Sequence, residues 1–223
     1  MIRDNVLVFD LDDTLFSEKD FVLSGFRAVS NWLEEEKNIK GFFGHSKMFY
    51  LNGARGNIFD KTLDILNINY SQEFVSKLVN IYRTHSPSIC LSKDAVWAIN
   101  YFCEYYFLAI LTDGYLETQK RKIKALGLDN MVDFIVCSDK YGKLAWKPSN
   151  IPYLKTMQYF GKDKKFFYIA DNVEKDFITA KKLGWVTIHI KRDFGEYINV
   201  KKTPEYEAEY QLSTLYDLNQ LIN

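Results

Sequence analysis

The stretch "VLVFDLDDTLF", Val6–Phe16, decides how this chain is read. Four apolar residues run straight into three carboxylates within four positions, Asp10, Asp12 and Asp13. If the apolar run is a buried strand, these like charges repel one another and lose solvation at its end. A cluster of that kind calls for a compensating partner.

Outward from this stretch, short apolar runs alternate with amphipathic segments, the signature of an α/β domain with a parallel sheet. Strands are predicted over Val6–Phe9, Phe107–Leu111, Phe134–Cys137, Phe166–Ala170 and Trp185–Ile190, each a continuous apolar run suited to a strand covered on both faces. Helices are predicted from a Ser92 cap through Tyr101, from Leu116 to Leu126 before Gly127, and from Val173 to Leu183 before Gly184. A last helix is expected from about Ser213, carrying Leu215, Leu218 and Leu221. Between the first two strands the pattern changes. Val22, Phe26, Val29 and Leu33 share one helical face, Phe74, Leu78 and Tyr82 repeat the arrangement, and strand-like runs are missing. Residues 17–90 therefore read as a helical insertion into a core formed by 1–16 and 91–223.

Composition narrows the classes of function. The 223 residues are 47% hydrophobic and 26% charged, enough for a substantial core. Lysine plus arginine equals aspartate plus glutamate at 29 each, so no net field favours nucleic acid or an anionic membrane. Cys90, Cys103 and Cys137 are scattered and odd in number, which is neither a disulfide framework nor a metal cluster. They suit a reducing compartment, with Cys103 and Cys137 expected as core fillers. The apolar run after Arg3 and Asp4 is too short for a signal peptide, and "FLAIL" and "FIVC" are strand-sized rather than membrane spans. A soluble, cytoplasmic protein is expected, and its oligomeric state carries no signal.

The unusual polar residues collect at strand ends. Asp10 follows "VLVF", Thr112 and Asp113 follow "FLAIL", and Asp171 with Asn172 follows "FFYIA". In open α/β sheets that edge is where ligands bind. Helix-capping loops rich in Asp, Thr and Asn would account for one such site. They account poorly for three, and they leave Asp10 and Asp12 in mutual repulsion. A divalent cation relieves it. Asp10, Asp12 and Asp171 are hard oxygen ligands suited to Mg²⁺, an ion that keeps several waters and commonly binds a substrate phosphate as well. No P-loop, EF-hand glycine, G-x-G-x-x-G, H-E-x-x-H or G-x-S-x-G accompanies them, and His45, His85 and His189 lack ligand spacing.

Four motifs in order resemble the haloacid dehalogenase (HAD) superfamily: "FDLDDTLF", "LTDG" with Thr112, "WKPS" with Lys147, and "IADNVEKD" with Asp171 and Asp176. The resemblance implies a Rossmann-like core with an α-helical cap inserted after the first motif. It also implies a Mg²⁺-dependent phosphomonoester hydrolase acting on a small phosphorylated metabolite. Asp10 would be the nucleophile, Asp12 the general acid and base, Thr112 a hydrogen-bond donor to the phosphoryl group, and Lys147 the counter-charge. Asp171 would bind the metal, with Asn172 and Asp176 in support. Asp113 and Gly114, from the second motif, would face substrate, and Asp13 and Thr14 would hold the loop. Gly142 stands five residues before Lys147, longer than in many members, and "GKLAWKPS" is similar to a branch associated with bacterial surface polysaccharides, which points toward sugar phosphates. In the insertion, Arg55 of "NGARGNIF" reads either as an anchor for a second anionic group or as an exposed turn residue; Phe42, Phe43 and His45 are weaker candidates. A sugar phosphomutase or phosphotransferase of the same architecture, and a non-catalytic HAD-like binding module, are the competing readings. Phosphonatase chemistry would need a desolvated lysine, and Lys47 and Lys61 have no context that marks them so.

Overall fold

The computed structural model describes residues 3–222. Its sheet has six strands: β1 (Asn5–Phe9), β2 (Phe107–Thr112), β3 (Phe134–Cys137), β4 (Lys165–Ala170), β5 (Val186–Ile190) and β6 (Tyr210–Leu212). Their order is β3-β2-β1-β4-β5-β6, with every pairing parallel. β1 therefore sits in the interior of the sheet, with Val6 beside Phe107 on one side and Phe166 on the other. Burial explains its composition. Val6, Leu7, Val8 and Phe9 are all 0% exposed, and each such side chain contributes about 1.5–3 kcal/mol on leaving water.

One face of the sheet collects Val6, Val8, Ala109, Leu111, Phe166 and Tyr168 around Trp185, the alternate-residue register that a pleated strand imposes. Trp185 lies just before β5, stacked on Phe166 with ring centroids 4.7 Å apart. The helices of this part of the chain are α5 (Lys93–Phe102), α6 (Leu116–Ala125), α7 (Ile151–Phe160), α8 (Phe177–Lys182) and the short α9 (Asn219–Ile222).

Between β1 and β2 lie α1 (Glu18–Lys37), α2 (Phe42–Leu51), α3 (Ile58–Ile65) and α4 (Gln72–Thr84). By contact, the chain forms two compact units: one holds residues through Glu18 and from Cys90 onward, the other is the continuous run Lys19–Ile89. The helical unit has its own core, in which Phe26, Val29 and Leu33 of α1 meet Phe42, Phe59, Leu63, Val75 and Leu78. Within it α1 and α4 approach closely. A Cβ on Gly25 would stand 2.4 Å from the Tyr82 ring, which packs edge-on against Phe21 and Phe59, so only glycine fits.

Several expectations need correction. The helix expected from Val173 begins at Phe177, because Asn172–Asp176 is occupied by turns that hold site side chains. Ser92 stands at the start of α5 without a side-chain cap bond; its hydroxyl donates to the Leu15 carbonyl and to Asp94 instead. The C-terminal segment adds a strand that the sequence reading missed, β6, and then a 3₁₀ turn at Leu215–Asp217 before α9 in place of one helix from Ser213. Cys103 is exposed, as is Cys90, while Cys137 is buried and its thiol is pushed up to about 11 by that burial. Among the described residues, no helix is long and apolar enough to cross a membrane.

Candidate active site

Three strand ends place the first-named residues. Asp10 follows β1 directly, its N–H still bonded to the Ile169 carbonyl at 2.9 Å, so the sheet fixes its backbone. Thr112 is the last residue of β2, and Asp171 follows β4. A cavity of about 210 Å³ opens here, and Asp10, Asp12, Thr112, Asp113, Gly114, Asp171, Asn172 and Lys175 all line it. At Gly114 the backbone turns from β2 toward α6 with φ of 119°, a conformation that excludes other residues.

Lys147 reaches the same place from the segment before α7. Its Nζ lies 2.8 Å from Asp10 Oδ1 and 2.6 Å from Asp176 Oδ1, and it donates to the Tyr168 hydroxyl at 3.0 Å. Tyr168 in turn donates to Asp176 Oδ1 at 3.1 Å, and Asp176 Oδ2 accepts the Asn172 N–H at 3.0 Å. Burial works against the ammonium, yet the charges of Asp10 and Asp176 hold it well above the usual lysine range. One cation does not neutralise the cluster. Burial, only partly offset by Lys147, pushes Asp10 up to about 7. Asp171 is held well above the usual carboxylate range, by burial and then by the charges of Asp10 and Asp176.

Carboxylate oxygens of Asp10, Asp171 and Asp176 come within 4.8 Å of one another. This trio differs from the expected one. The Asp12 carboxylate is bound to α6, accepting from Gln119 Nε2 at 2.9 Å and pairing with Lys122 Nζ at 2.6 Å. Both oxygens of Asp176 are already bonded inside the protein, and of these three carboxylates it is Asp10 and Asp171 that line the cavity. Buried hard-oxygen donors carrying more negative charge than their lysine balances are a donor set that fits Mg²⁺.

The remaining candidates divide. Asp113 lines the cavity, but its carboxylate is engaged inside the protein: it accepts from the Ser138 hydroxyl, the Lys147 N–H at 3.1 Å and Lys175 Nζ at 3.1 Å. Burial alone would raise Asp113; Lys147 and Lys175 outweigh it and hold it below the usual carboxylate range. Asp13, at φ of 49°, clamps the loop by accepting the Glu18 N–H at 2.8 Å. Thr14 contributes its carbonyl, which accepts from Arg192 at 2.7 Å, rather than its hydroxyl, which has no partner among the described residues. Asn172 Oδ1 accepts the Glu174 N–H at 2.9 Å and so shapes the turn.

Arg55 lies in the helical unit. Its guanidinium sits 4.4 Å from the Tyr50 ring centroid and donates to the carbonyls of Tyr50 and Ala54 at 3.2 and 2.9 Å. It lines that unit's own cavity of about 650 Å³, together with Phe26, Phe59 and Arg83. Gln119, Lys122, Tyr168 and Lys175 were not singled out by the sequence reading. The i, i+3 spacing of Gln119 and Lys122 and the lone hydroxyl in "FFYIA" were the available signals.

A carboxylate just past an interior parallel strand, a lysine between two acids, and a hydroxyl at the next strand end place this site at the C-terminal edge of a Rossmann-like core. Residues 7–190 match the family described as haloacid dehalogenase-like hydrolase, and the chain belongs to that family. It is 25% identical to the glyceraldehyde 3-phosphate phosphatase of Methanocaldococcus jannaschii, over 97% of this chain and 96% of that protein. It is also 25% identical to the phosphoglycolate phosphatase of Aquifex aeolicus, over 82% of each. Among solved structures it resembles the magnesium-bound HAD-hydrolase YfnB of Bacillus subtilis, with a TM-score of 0.70 and 18% identity over the whole of both chains, a likeness of fold.

Proposed function

We propose that this hydrolase is a Mg²⁺-dependent phosphatase that removes phosphate from a small phosphorylated metabolite through an aspartyl-phosphate on Asp10. The observation that carries the reading is the convergence of Asp10, Asp12, Thr112 and Asp171 on one cavity, with Lys147 Nζ 2.8 Å from Asp10 Oδ1 behind it.

Asp10 attacks phosphorus. Its Oδ–P bond forms as the ester P–O bond breaks, and the electron pair goes to the leaving oxygen, which takes a proton from Asp12. Water then attacks the aspartyl-phosphate, gives its proton back to Asp12, and the Asp10–P bond breaks to release inorganic phosphate. Thr112 is placed to donate to a phosphoryl oxygen. Lys147 holds the Asp10 carboxylate and balances charge at the reacting centre, in surroundings dry enough to make that charge effective. Asp10 and Asp171 would hold Mg²⁺, which when bound screens the phosphate from the carboxylates and polarises its oxygens. The cavity of about 210 Å³ suits a small ester. The relatives named for glyceraldehyde 3-phosphate and phosphoglycolate support the same size class.

The test is phosphate release from a panel of two- to six-carbon phosphate esters, with Mg²⁺ and with EDTA, beside Asp10→Asn. Release that needs the metal and vanishes in the variant is the expected result. Turnover to an isomerised sugar phosphate without free phosphate would replace hydrolysis by internal transfer, and no turnover at all would remove the reading.

A further inference from the structure

Two side chains of α6 meet Asp12. Gln119 and Lys122 lie three residues apart and so share a helical face. Both are nearly sealed from solvent, at 1% and 3% exposed. The Gln119 amide reaches two site residues at once, donating to Asp12 Oδ2 at 2.9 Å and to Thr112 Oγ1 at 2.7 Å. Lys122 Nζ lies 2.6 Å from Asp12 Oδ1 and 3.5 Å from Glu18 Oε1, with the Phe16 ring centroid 5.8 Å away. A helix that had only to cover the sheet would present aliphatic residues on this face. Sealing an ammonium and an amide there is costly unless their partners need them.

We propose that Gln119 and Lys122 are positioning residues for proton transfer by Asp12, an inference that rests on the phosphatase reading. Gln119 fixes the plane of the Asp12 carboxylate and ties it to the Thr112 hydroxyl. The acid that protonates the leaving oxygen and the donor to the phosphoryl group are thereby held as one unit. Lys122 balances the negative charge that Asp12 acquires when its proton passes to the leaving oxygen, and it offsets repulsion from Glu18. Neither residue touches substrate; both act through Asp12.

The effect must then depend on the bond that breaks. An alkyl phosphate expels an alkoxide that needs Asp12's proton, whereas p-nitrophenyl phosphate expels a phenolate that leaves without one. The experiment measures kcat/KM, which covers the steps through formation of aspartyl-phosphate. The two substrates are p-nitrophenyl phosphate and the alkyl phosphate most rapidly hydrolysed in the panel, tested with wild type, Lys122→Met and Lys122→Arg. We expect Lys122→Met to lose about 100-fold on the alkyl ester, within the usual range for general acid catalysis, and less than about 10-fold on the aryl ester. Lys122→Arg should recover part of the alkyl rate. Equal losses on both substrates would make Lys122 merely structural and overturn the inference. Wild type cleaving neither substrate would overturn the phosphatase reading and this inference with it. If Lys122→Met does not fold, as judged by its thermal melt, Lys122→Gln, which also removes the charge but keeps a donor toward Asp12, carries the same comparison.

Discussion

Lys147 is the residue on which the buried charges of this site depend. Its side chain and that of Asp176 are both 0% exposed, and it stands between two acids. Replacing it with methionine keeps the volume and leaves Asp10 and Asp176 buried without their cation. Removing one partner of a buried pair costs about 3–5 kcal/mol. Lys147→Met is therefore expected to lower stability by that amount, measured by urea denaturation, as well as to abolish turnover. A stability loss below about 1 kcal/mol would show that the cluster relaxes or takes up water. The meeting of Asp10, Thr112 and Asp171 at one cavity was legible in the sequence because each follows or ends an apolar run, and strand ends in such sheets share one edge. Tyr168 was not legible. It sits inside "FFYIA", and only the pleat decides whether its hydroxyl meets Lys147 or the opposite face of the sheet. For Asp12, the engagement of its carboxylate with α6 depends on packing that a strand-end motif does not contain.

Elements are tied together by a second polar cluster, remote in sequence from the first. Asp94 on α5 accepts from Arg192, Thr214 and the Leu215 N–H, while Arg192 also donates to the Thr14 carbonyl. One carboxylate thus joins α5 to the C-terminal turn, and through Arg192 to the loop that carries Asp12. Burial alone would raise Asp94, but the hydrogen bonds from Arg192, Leu215 and Ser92 outweigh it and hold it at about 2, below the ordinary 3.8. A carboxyl whose folded value is depressed stabilises the fold above its unfolded value and loses that contribution as pH falls through the folded one. The stability gap between wild type and Asp94→Asn, from urea unfolding at a series of pH values, should be about 3 kcal/mol at pH 7. It should narrow as pH falls from about 4 toward 2, and a gap constant over that interval would contradict this account. The C-terminal elements were the least legible for a related reason. The leucines at 215, 218 and 221 do have helical spacing, yet the Asp94 bonds and the Thr214 cap on Tyr216 start the turn there as a 3₁₀ helix. β6 is three residues, two exposed and one half-buried, whose strand character comes from pairing with β5.

At the scale of the molecule, the sheet-bearing unit gathers buried carboxylates at the ends of β1 and β4 while the chain as a whole is neutral, with 29 basic and 29 acidic residues. A cation bound there would stabilise that unit by mass action, by about 2.7 kcal/mol at one hundred times its dissociation constant. For a chain of this size that corresponds to a rise in Tm of about 5–10 °C. Mg²⁺ should give such a rise in wild type and not in Asp171→Asn, read by thermal melting; equal shifts in both would place the ion elsewhere. The chain's alternation of apolar runs and amphipathic segments made the sheet legible, because parallel strands covered on both faces must be continuous in hydrophobicity. The sheet order also has a consequence for how the protein is made. β1 is synthesised first, but its neighbours begin at Phe107 and Lys165. On the ribosome, at about 5–20 residues per second, the strand leading to Asp10 waits on the order of 5–20 s before its first partner exists. The helical unit Lys19–Ile89 is contiguous, with a core drawn from its own residues, and can close during that interval. The nascent chain therefore holds "VLVF" as an exposed, unpaired apolar segment for longer than any other strand of the sheet, and that interval is when a chaperone has most to bind.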